Sequence, residues 1–223
     1  MIRILLADDH ALMRRGIRDL LTSEPEFEII GEAGDGREAV RLAEQLKPDV
    51  MIMDLAMPEL NGLDAIRHIR KDAPEIELLV FSMHDSEELI REVFAAGARG
   101  YVLKSDVALY LIEAVKSLAR HKPFFTPQIS EAILNSLVST ATPGHVEPTR
   151  PGPLSARERE ILQLLAENKS NKDIAKALGI SVRTVETHRR SVMQKLDANS
   201  IVELVHYAIR NGIVQTTRVS DLL

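Results

Sequence analysis

The chain has 223 residues, a formal net charge of −5, 45% hydrophobic and 4% aromatic residues, and no cysteine. This length accommodates one large domain or two small ones. The lack of any apolar run near the roughly 18 residues of a membrane span argues against a membrane protein. No secretion signal is visible at the N-terminus, and the absence of cysteine excludes disulfides and thiolate chemistry, so a cytoplasmic location is expected.

The charge is unevenly distributed along the chain. Residues 1–125 carry 16 Lys and Arg against 23 Asp and Glu, whereas residues 151–223 carry 11 against 8. An acidic front half and a mildly basic back half predict two domains with different partners.

Five short apolar runs alternate with helix-length segments in the first 120 residues. Strands are predicted at 2–7, 27–33, 49–54, 77–82 and 100–103, and helices at about 10–23, 36–46, 63–72, 85–96 and 106–120. Because strands that alternate with helices form right-handed crossovers, this pattern predicts an α/β fold with a five-stranded, doubly wound parallel sheet. The strands are continuously apolar, which indicates burial on both faces.

A short helix at 128–138 and a Pro- and Gly-rich segment at 138–153 follow. The second segment has no apolar periodicity and is predicted to be a flexible linker. The chain is therefore divided into a first domain at 1–122, the helix and linker at 123–153, a second domain at 154–215, and a tail at 216–223.

The second domain has an all-helical pattern. Ser155 and Glu158 have the spacing of a capping box at the start of its first helix. A short helix at 172–178 ends at a glycine, and Ser181 caps a longer helix that runs to about residue 196. A last helix is predicted at about 200–210.

Polar side chains stand at the ends of four predicted strands. Asp8 and Asp9 follow the first strand, Asp54 ends the third, Ser82 ends the fourth and Lys104 follows the fifth. Because ligands bind beyond the carboxyl ends of the strands in such sheets, these groups are expected to converge. Three clustered carboxylates favour a hard divalent cation such as Mg²⁺. With a hydroxyl and a lysine, the set suits phosphoryl transfer to Asp54 as nucleophile.

The acidic pair, Asp54 followed by MPELNG, Ser82, and YVLK at 101–104 together resemble the receiver domain of two-component response regulators. The resemblance implies that a sensor histidine kinase phosphorylates Asp54. It also implies a Mg²⁺ ion held by Asp9, Asp54 and the backbone carbonyl of Ala56, with Asp8 acting through water.

The same resemblance implies a switch. Ser82 and Tyr101 are similar to the pair in which, on phosphorylation, the hydroxyl turns toward the phosphate and the aromatic ring turns inward. Lys104 is the implied phosphate-binding lysine. Pro58 and Gly62 are interpreted as turn residues without a chemical role.

Residues 173–196, DIAKALGISVRTVETHRRSVMQKL, combine a short helix, a Gly-containing turn and a longer helix, which is the pattern of a helix-turn-helix. In the longer helix, Val182, Val185, Val192 and Leu196 are predicted to face the domain core. From residue 181 to 196 there are four Lys and Arg against one acid, a balance suited to phosphate contacts.

Residues 154 to about 212 resemble the LuxR-type DNA-binding domain, and the whole chain resembles a NarL/FixJ-type response regulator. That resemblance implies binding to double-stranded DNA and a homodimer when phosphorylated. No membrane partner is expected, because no apolar run is long enough for a membrane span. The resemblance assigns base-edge contacts to Glu186, Thr187 and Arg190. It assigns contacts to the DNA phosphates to four further residues, Lys172, Arg183, Thr184 and Lys195.

Three alternatives remain at this stage. A phosphatase with an aspartyl nucleophile commonly has a second acid two residues later, where this chain has Ala56, so a non-enzymatic role is predicted. A LuxR-type sensor of a small ligand needs an aromatic-lined pocket, which the lack of Trp disfavours. A regulator that retains the fold without phosphorylation is disfavoured by the complete acidic set.

The last helix has two possible roles. It either contributes to a dimer or only packs in the core of the second domain.

Overall fold

The computed structural model describes residues 1–131, 133 and 154–214. The chain divides into two compact units, Met1–Gly144 and His145–Leu223, and the described part of each has its own hydrophobic core. Among the described helices, none combines the length and apolar character needed to cross a bilayer.

Parts of the predicted connection fall outside the described residues. The helix predicted at 128–138 begins one residue earlier, and residues 127–131 and 133 are helical. The rest of that helix, the predicted linker at 138–153 and the predicted tail at 216–223 lie outside the described residues.

The first unit is built from parallel strands that alternate with helices. The strands are β1 (Ile2–Ala7), β2 (Phe27–Ala33), β3 (Val50–Asp54), β4 (Glu77–Ser82), β5 (Gly100–Leu103) and β6 (Phe124–Phe125). The helices are α1 (Ala11–Thr22), α2 (Gly36–Leu46), α3 (Gly62–Asp72), α4 (Glu87–Ala95) and α5 (Val107–Leu118), with a 3₁₀ turn at Lys104–Asp106 before α5. The sheet order is β2-β1-β3-β4-β5-β6, and every neighbouring pair is parallel.

The two faces of this sheet are buried under separate sets of helices. In β3, Met51 and Met53 pack in one core cluster, and Val50 and Ile52 pack in the other. Because successive side chains of a strand point to opposite faces, a strand covered on both sides must be apolar throughout. The predicted doubly wound parallel sheet is thereby confirmed.

The sheet has six strands, whereas five were predicted. The sixth, β6, is two residues long and pairs with β5 through Gly100↔Phe124 and Tyr101↔Phe125. A run of two residues has no periodicity to detect, so the sequence pattern does not reveal it.

The second unit contains four helices in its described part, α6 (Ala156–Ala166), α7 (Asn171–Leu178), α8 (Val182–Lys195) and α9 (Ile201–Arg210). Ser155 and Glu158 form the predicted capping box of α6. Ser170 and Asp173 form a second one at α7. The turn after α7 passes through Gly179 at φ +63°, a left-handed conformation that favours glycine.

The apolar face of α8 is narrower than predicted. Val185 and Val192 are fully buried and Leu196 is partly buried, but Val182 is 37% exposed. The prediction that Val182 faces the core is wrong. Val182 is the first residue of α8, and the first α8 side chain buried in the core is that of Val185.

Candidate functional site

The carboxyl ends of four adjacent strands bring the predicted polar groups together. β1 pairs with β3 up to Ala7↔Met53, β3 with β4 up to Asp54↔Phe81, and β4 with β5 up to Ser82↔Leu103. Because the strands are parallel and in register at this edge, the residues that follow them lie side by side.

Lys104 joins two carboxylates in this pocket. Its Nζ donates to Asp8 Oδ2 at 2.7 Å and to Asp54 Oδ2 at 2.7 Å. The three residues are buried, with 2% of Asp8, 1% of Asp54 and 8% of Lys104 exposed. The lysine is therefore the internal cation of a buried acidic site.

Two further groups extend the cluster toward the surface. One ligand atom each from Asp8, Asp9, His10 and Asp54 lies within 4.8 Å of the others. His10 donates its backbone N–H to Asp8 Oδ1 at 2.7 Å, and its Nδ1 lies 2.8 Å from Asp9 Oδ1. The carboxylates fit a hard cation such as Mg²⁺, and the proximity of His10 to them is a detail that strand-end reasoning alone did not specify.

Burial dominates the electrostatics of this pocket. Desolvation raises the pKa of Asp54 to about 6; Lys104 opposes this shift and Asp8 adds to it. For Lys104, burial alone would lower the pKa, but the carboxylates of Asp54 and Asp8 outweigh it, so its pKa is raised. One lysine faces three carboxylates, which leaves the pocket with an excess of negative charge that a cation would stabilise.

Ser82 and Tyr101 are linked through the backbone of His84. The N–H of His84 donates to Ser82 Oγ at 3.2 Å, and the Tyr101 hydroxyl donates to the His84 carbonyl at 2.6 Å. The Tyr101 ring is fully buried, and this burial raises the pKa of its phenol. Ser82 is also buried, so both residues lie inside the unit next to the acidic pocket.

Gly62 allows α3 to begin against the strand that carries Asp54. Its N–H donates to the Leu55 carbonyl at 2.7 Å. A Cβ at this position would lie 2.0 Å from the backbone oxygen of Asp54. The predicted turn role of Gly62 is thus a close backbone approach directly beside the pocket. Ala56, two residues after Asp54, is 4% exposed and donates its N–H to Asp54 Oδ1 at 3.4 Å.

In the second unit, α8 presents a polar face to solvent. Thr184 is half-buried, and its hydroxyl lies 2.8 Å from that of Ser181. Thr187 donates its hydroxyl to the Arg183 carbonyl one turn earlier, at 3.0 Å. The predicted DNA-contacting residues that are exposed are Lys172 at the start of α7 and Arg183, Glu186, Thr187 and Arg190 on α8.

Lys195 differs from the other predicted phosphate contacts. Its Nζ donates to Glu158 Oε2 at 2.7 Å, and Ser191 donates to Glu158 Oε1 at 2.6 Å. Desolvation would raise the pKa of Glu158, but these bonds and those from Ser155 lower it to about 2. An internal ion pair therefore holds the ammonium of Lys195, which competes with the predicted contact to a DNA phosphate. Sequence reasoning identified Glu158 only as a cap and missed this link between α6 and α8.

Comparison with known proteins places both units. Residues 4–116 match the response regulator receiver domain, and residues 152–208 match the bacterial regulatory proteins of the luxR family. The chain is 36% identical over 225 residues to the transcriptional regulatory protein DegU of Brevibacillus brevis, covering 96% of this chain and 95% of DegU.

Solved structures agree. A LuxR-family two-component response regulator from Aurantimonas sp. SI85-9A1 is 36% identical, with a TM-score of 0.60 over 62% of this chain and 99% of that one. RcsB of Salmonella typhimurium is 26% identical, with a TM-score of 0.58 over 93% of this chain and 98% of that one. RcsB has also been solved in complex with DNA. The chain therefore belongs to the two-component response regulators of the NarL/FixJ type, in which a receiver domain precedes a LuxR-type DNA-binding domain.

Proposed function

We propose that Asp54 accepts a phosphoryl group from a sensor histidine kinase and that this modification controls binding of the second unit to DNA. The observation that carries the proposal is the buried pocket in which Lys104 Nζ lies 2.7 Å from Asp54 Oδ2 and Asp8 Oδ2. A nucleophilic carboxylate beside a lysine and two further acids is the arrangement that phosphoryl transfer to an aspartate needs.

In the transfer step, a carboxylate oxygen of Asp54 attacks the phosphorus of the phosphohistidine. The new O–P bond forms as the P–N bond breaks, and the bonding pair leaves with the imidazole. A pKa of about 6 keeps most of the Asp54 carboxyl ionised at pH 7. Lys104 neutralises charge on the phosphoryl oxygens.

The donor set fits Mg²⁺, which prefers oxygen ligands. Asp9, Asp54 and the backbone carbonyl of Ala56 would hold the ion, with Asp8 acting through water. When bound, the ion supplies charge neutralisation at the phosphoryl oxygens. Ligand oxygens of Asp8, Asp9 and Asp54 lie within 4.8 Å of one another, which supports this assignment.

The readout of phosphorylation is assigned to Ser82 and Tyr101. The Ser82 hydroxyl turns toward the phosphoryl group, and the buried Tyr101 ring corresponds to the inward position that the family associates with phosphorylation. The two bonds that join both residues to His84 support this coupling. Phosphorylation then favours a homodimer whose paired DNA-binding units contact two half-sites.

In the DNA-binding unit, α8 enters the major groove of double-stranded DNA. Glu186, Thr187 and Arg190 read base edges. Lys172, Arg183 and Thr184 contact phosphates, and Lys195 does so only by leaving Glu158. The exposure of these side chains supports the assignment. Those exposed are Lys172, Arg183, Glu186, Thr187 and Arg190, and Thr184 is half-exposed.

The test is labelling by acetyl phosphate. The wild type is expected to incorporate one phosphoryl group in a Mg²⁺-dependent reaction, and Asp54→Asn, which keeps the size of the side chain, is expected to incorporate none. Asp19→Asn, an exposed acid on α1, is the matched control and should label normally. Mg²⁺-dependent labelling that persists in Asp54→Asn would remove Asp54 from its role.

We do not expect the protein to turn over phosphate esters as an enzyme. A phosphatase would need a proton donor close to the nucleophile, and the side chain at position 56 is a methyl group. Sustained hydrolysis of small phosphate esters by the wild type, lost in Asp54→Asn, would favour the enzymatic alternative.

A further inference from the structure

The segment that leaves the receiver after α5 packs against the same residues that surround the predicted switch. Phe124 and Phe125 form β6, and Phe125 is the strand partner of Tyr101. The chain then turns into the helical residues 127–131. We call residues 124–131 and 133 the exit segment.

An aromatic row links Tyr101 to the exit segment. The ring of Phe125 meets that of Phe94 on α4 edge-on, with centroids 4.9 Å apart. Phe94 in turn lies 6.5 Å from Tyr101 in a tilted arrangement. Because aromatic pairs have preferred geometries, movement of the Tyr101 ring changes the packing available to Phe125.

The helical part of the exit segment is anchored in the core of the receiver. Ile129 is fully buried in the cluster that contains Tyr101 and the α4 residues Ile90 and Val93, and Ile133 packs against that cluster. Removing the Ile129 side chain from water stabilises the docked position of the segment.

A hydrogen bond connects the exit segment to the loop between β4 and α4. Gln128 Nε2 donates to Asp85 Oδ2 at 3.0 Å. Asp85 follows His84, whose backbone contacts both Ser82 and Tyr101. The exit segment is therefore connected to the switch by two routes, one aromatic and one polar.

We propose that the exit segment is a docked arm whose packing on α4 is coupled to the state of the Asp54 pocket, so that phosphorylation stabilises the docked arm and docking stabilises the phosphorylated receiver. The proposal rests on the proposed phosphorylation of Asp54. Reciprocity follows from thermodynamic linkage, because two events that favour the same conformation increase each other's equilibrium constants by the same factor. The arm is also the part of the chain that continues toward the DNA-binding unit.

The chain offers a matched pair of variants. Phe125 packs against Phe94 and against the core cluster that contains Tyr101. Its neighbour Phe124 packs on the opposite face of the sheet, with its ring centroid 6.3 Å from that of Tyr110 of α5. Phe125→Leu and Phe124→Leu thus make the same chemical change on the two sides. Gln128→Ala removes the exposed polar link without disturbing the core.

The experiment uses the full chain with beryllofluoride and Mg²⁺ as the phosphoryl mimic, followed by hydrogen–deuterium exchange mass spectrometry. Beryllofluoride is expected to slow exchange in the exit segment as well as around Asp54. The beryllofluoride concentration for half-saturation should rise about fivefold in Phe125→Leu and about threefold in Gln128→Ala. Phe124→Leu should match the wild type.

Two results would overturn the proposal, and they have different meanings. In the first, hydrogen exchange slows around Asp54 but not in the exit segment, and the beryllofluoride concentration for half-saturation is unchanged in Gln128→Ala. This result would show that the arm is uncoupled while phosphorylation of Asp54 stands. No response anywhere in the receiver, or a response that persists in Asp54→Asn, would overturn both the proposed function and the inference built on it. If Phe125→Leu fails to fold, Gln128→Ala decides the question.

Discussion

The two units hold their functional groups in opposite ways. In the receiver, Asp54 and Lys104 are buried and bonded to each other, so the properties of each depend on the other. In the DNA-binding unit, Arg183 and Arg190 are exposed on one face of α8. A buried group is strongly affected by its neighbours because the local dielectric constant is low, whereas an exposed group is screened by water. Substitutions should therefore have large, coupled effects in the receiver and smaller, separable effects on α8.

The largest effect is expected at Lys104. Lys104→Met removes the cation that faces Asp8 and Asp54 and leaves buried carboxylates unpaired, which should destabilise the receiver by about 3–5 kcal/mol. Asp54→Asn, by contrast, removes one of the competing acids and leaves the Lys104–Asp8 pair intact, so it should retain wild-type stability or exceed it. Unfolding of both variants in urea, with hydrogen exchange to assign the transition to the receiver, measures the difference. Equal losses in the two variants would contradict the coupled pocket.

A second test uses two glycines. Gly62→Ala places a Cβ within 2.0 Å of the Asp54 backbone oxygen. Overpacking of this kind should destabilise the receiver by about 1–3 kcal/mol or more and slow labelling by acetyl phosphate. Gly16→Ala is the control, because the α1 position has no atom within 4 Å of the added Cβ. Alanine is the better helix former by about 1 kcal/mol, so this variant should be stabilised. Normal labelling in Gly62→Ala would show that the turn does not position Asp54.

The buried Glu158 shows how a charged group inside the DNA-binding unit should behave. Its pKa falls from 4.5 to about 2 in the folded state. A carboxyl with a depressed pKa in the folded protein stabilises it above the pKa of the unfolded chain, and that stabilisation is lost as pH falls from about 4.5 toward 2. Because the Lys195 side chain is 34% exposed, solvent screens the ion pair, and the loss should be about 2 kcal/mol rather than the roughly 3 kcal/mol that the whole change in pKa corresponds to. Glu158→Gln should be less stable than the wild type at pH 7, and its stability should depend less on pH between about 4.5 and 2. Circular dichroism at several pH values checks this, and identical pH profiles would contradict it.

The smallest effects are expected on the exposed face of α8. Arg190→Ala should weaken operator binding by about 1 kcal/mol and relax preference at one base pair. Lys172→Ala should weaken binding to all sequences alike and reduce the slope of log K against log salt by about 1. Fluorescence anisotropy over a range of salt concentrations distinguishes the two. If both variants lose affinity uniformly, Arg190 does not read bases.

Much of the receiver was predictable because its signals are local. The helix α2 and strands β1, β2, β4 and β5 begin and end at the predicted residues, since apolar runs and polar strand ends coincide with the edges of the elements. The convergence of Asp8, Asp54 and Lys104 followed from a parallel sheet on the condition that the strands before them are neighbours, although their individual hydrogen bonds did not.

The features that were not predicted depend on contacts between distant residues. β6 is too short to have a pattern, and its second residue, Phe125, contacts Phe94 across 31 positions of sequence. The bond between Lys195 and Glu158 spans 37 positions. Residues on one face of a helix can be identified from periodicity, but which of them the rest of the domain engages is decided by packing.

In the proposed function, the Asp54 pocket and the DNA-binding face are parts of one switch. The most direct measurement is the affinity of the full chain for a DNA fragment recovered by footprinting, with and without beryllofluoride and Mg²⁺, in the wild type and Asp54→Asn. We expect the affinity to rise by about 5- to 150-fold in the wild type and to stay unchanged in Asp54→Asn. An affinity that is unchanged by beryllofluoride in the wild type, or that rises equally in Asp54→Asn, would contradict it.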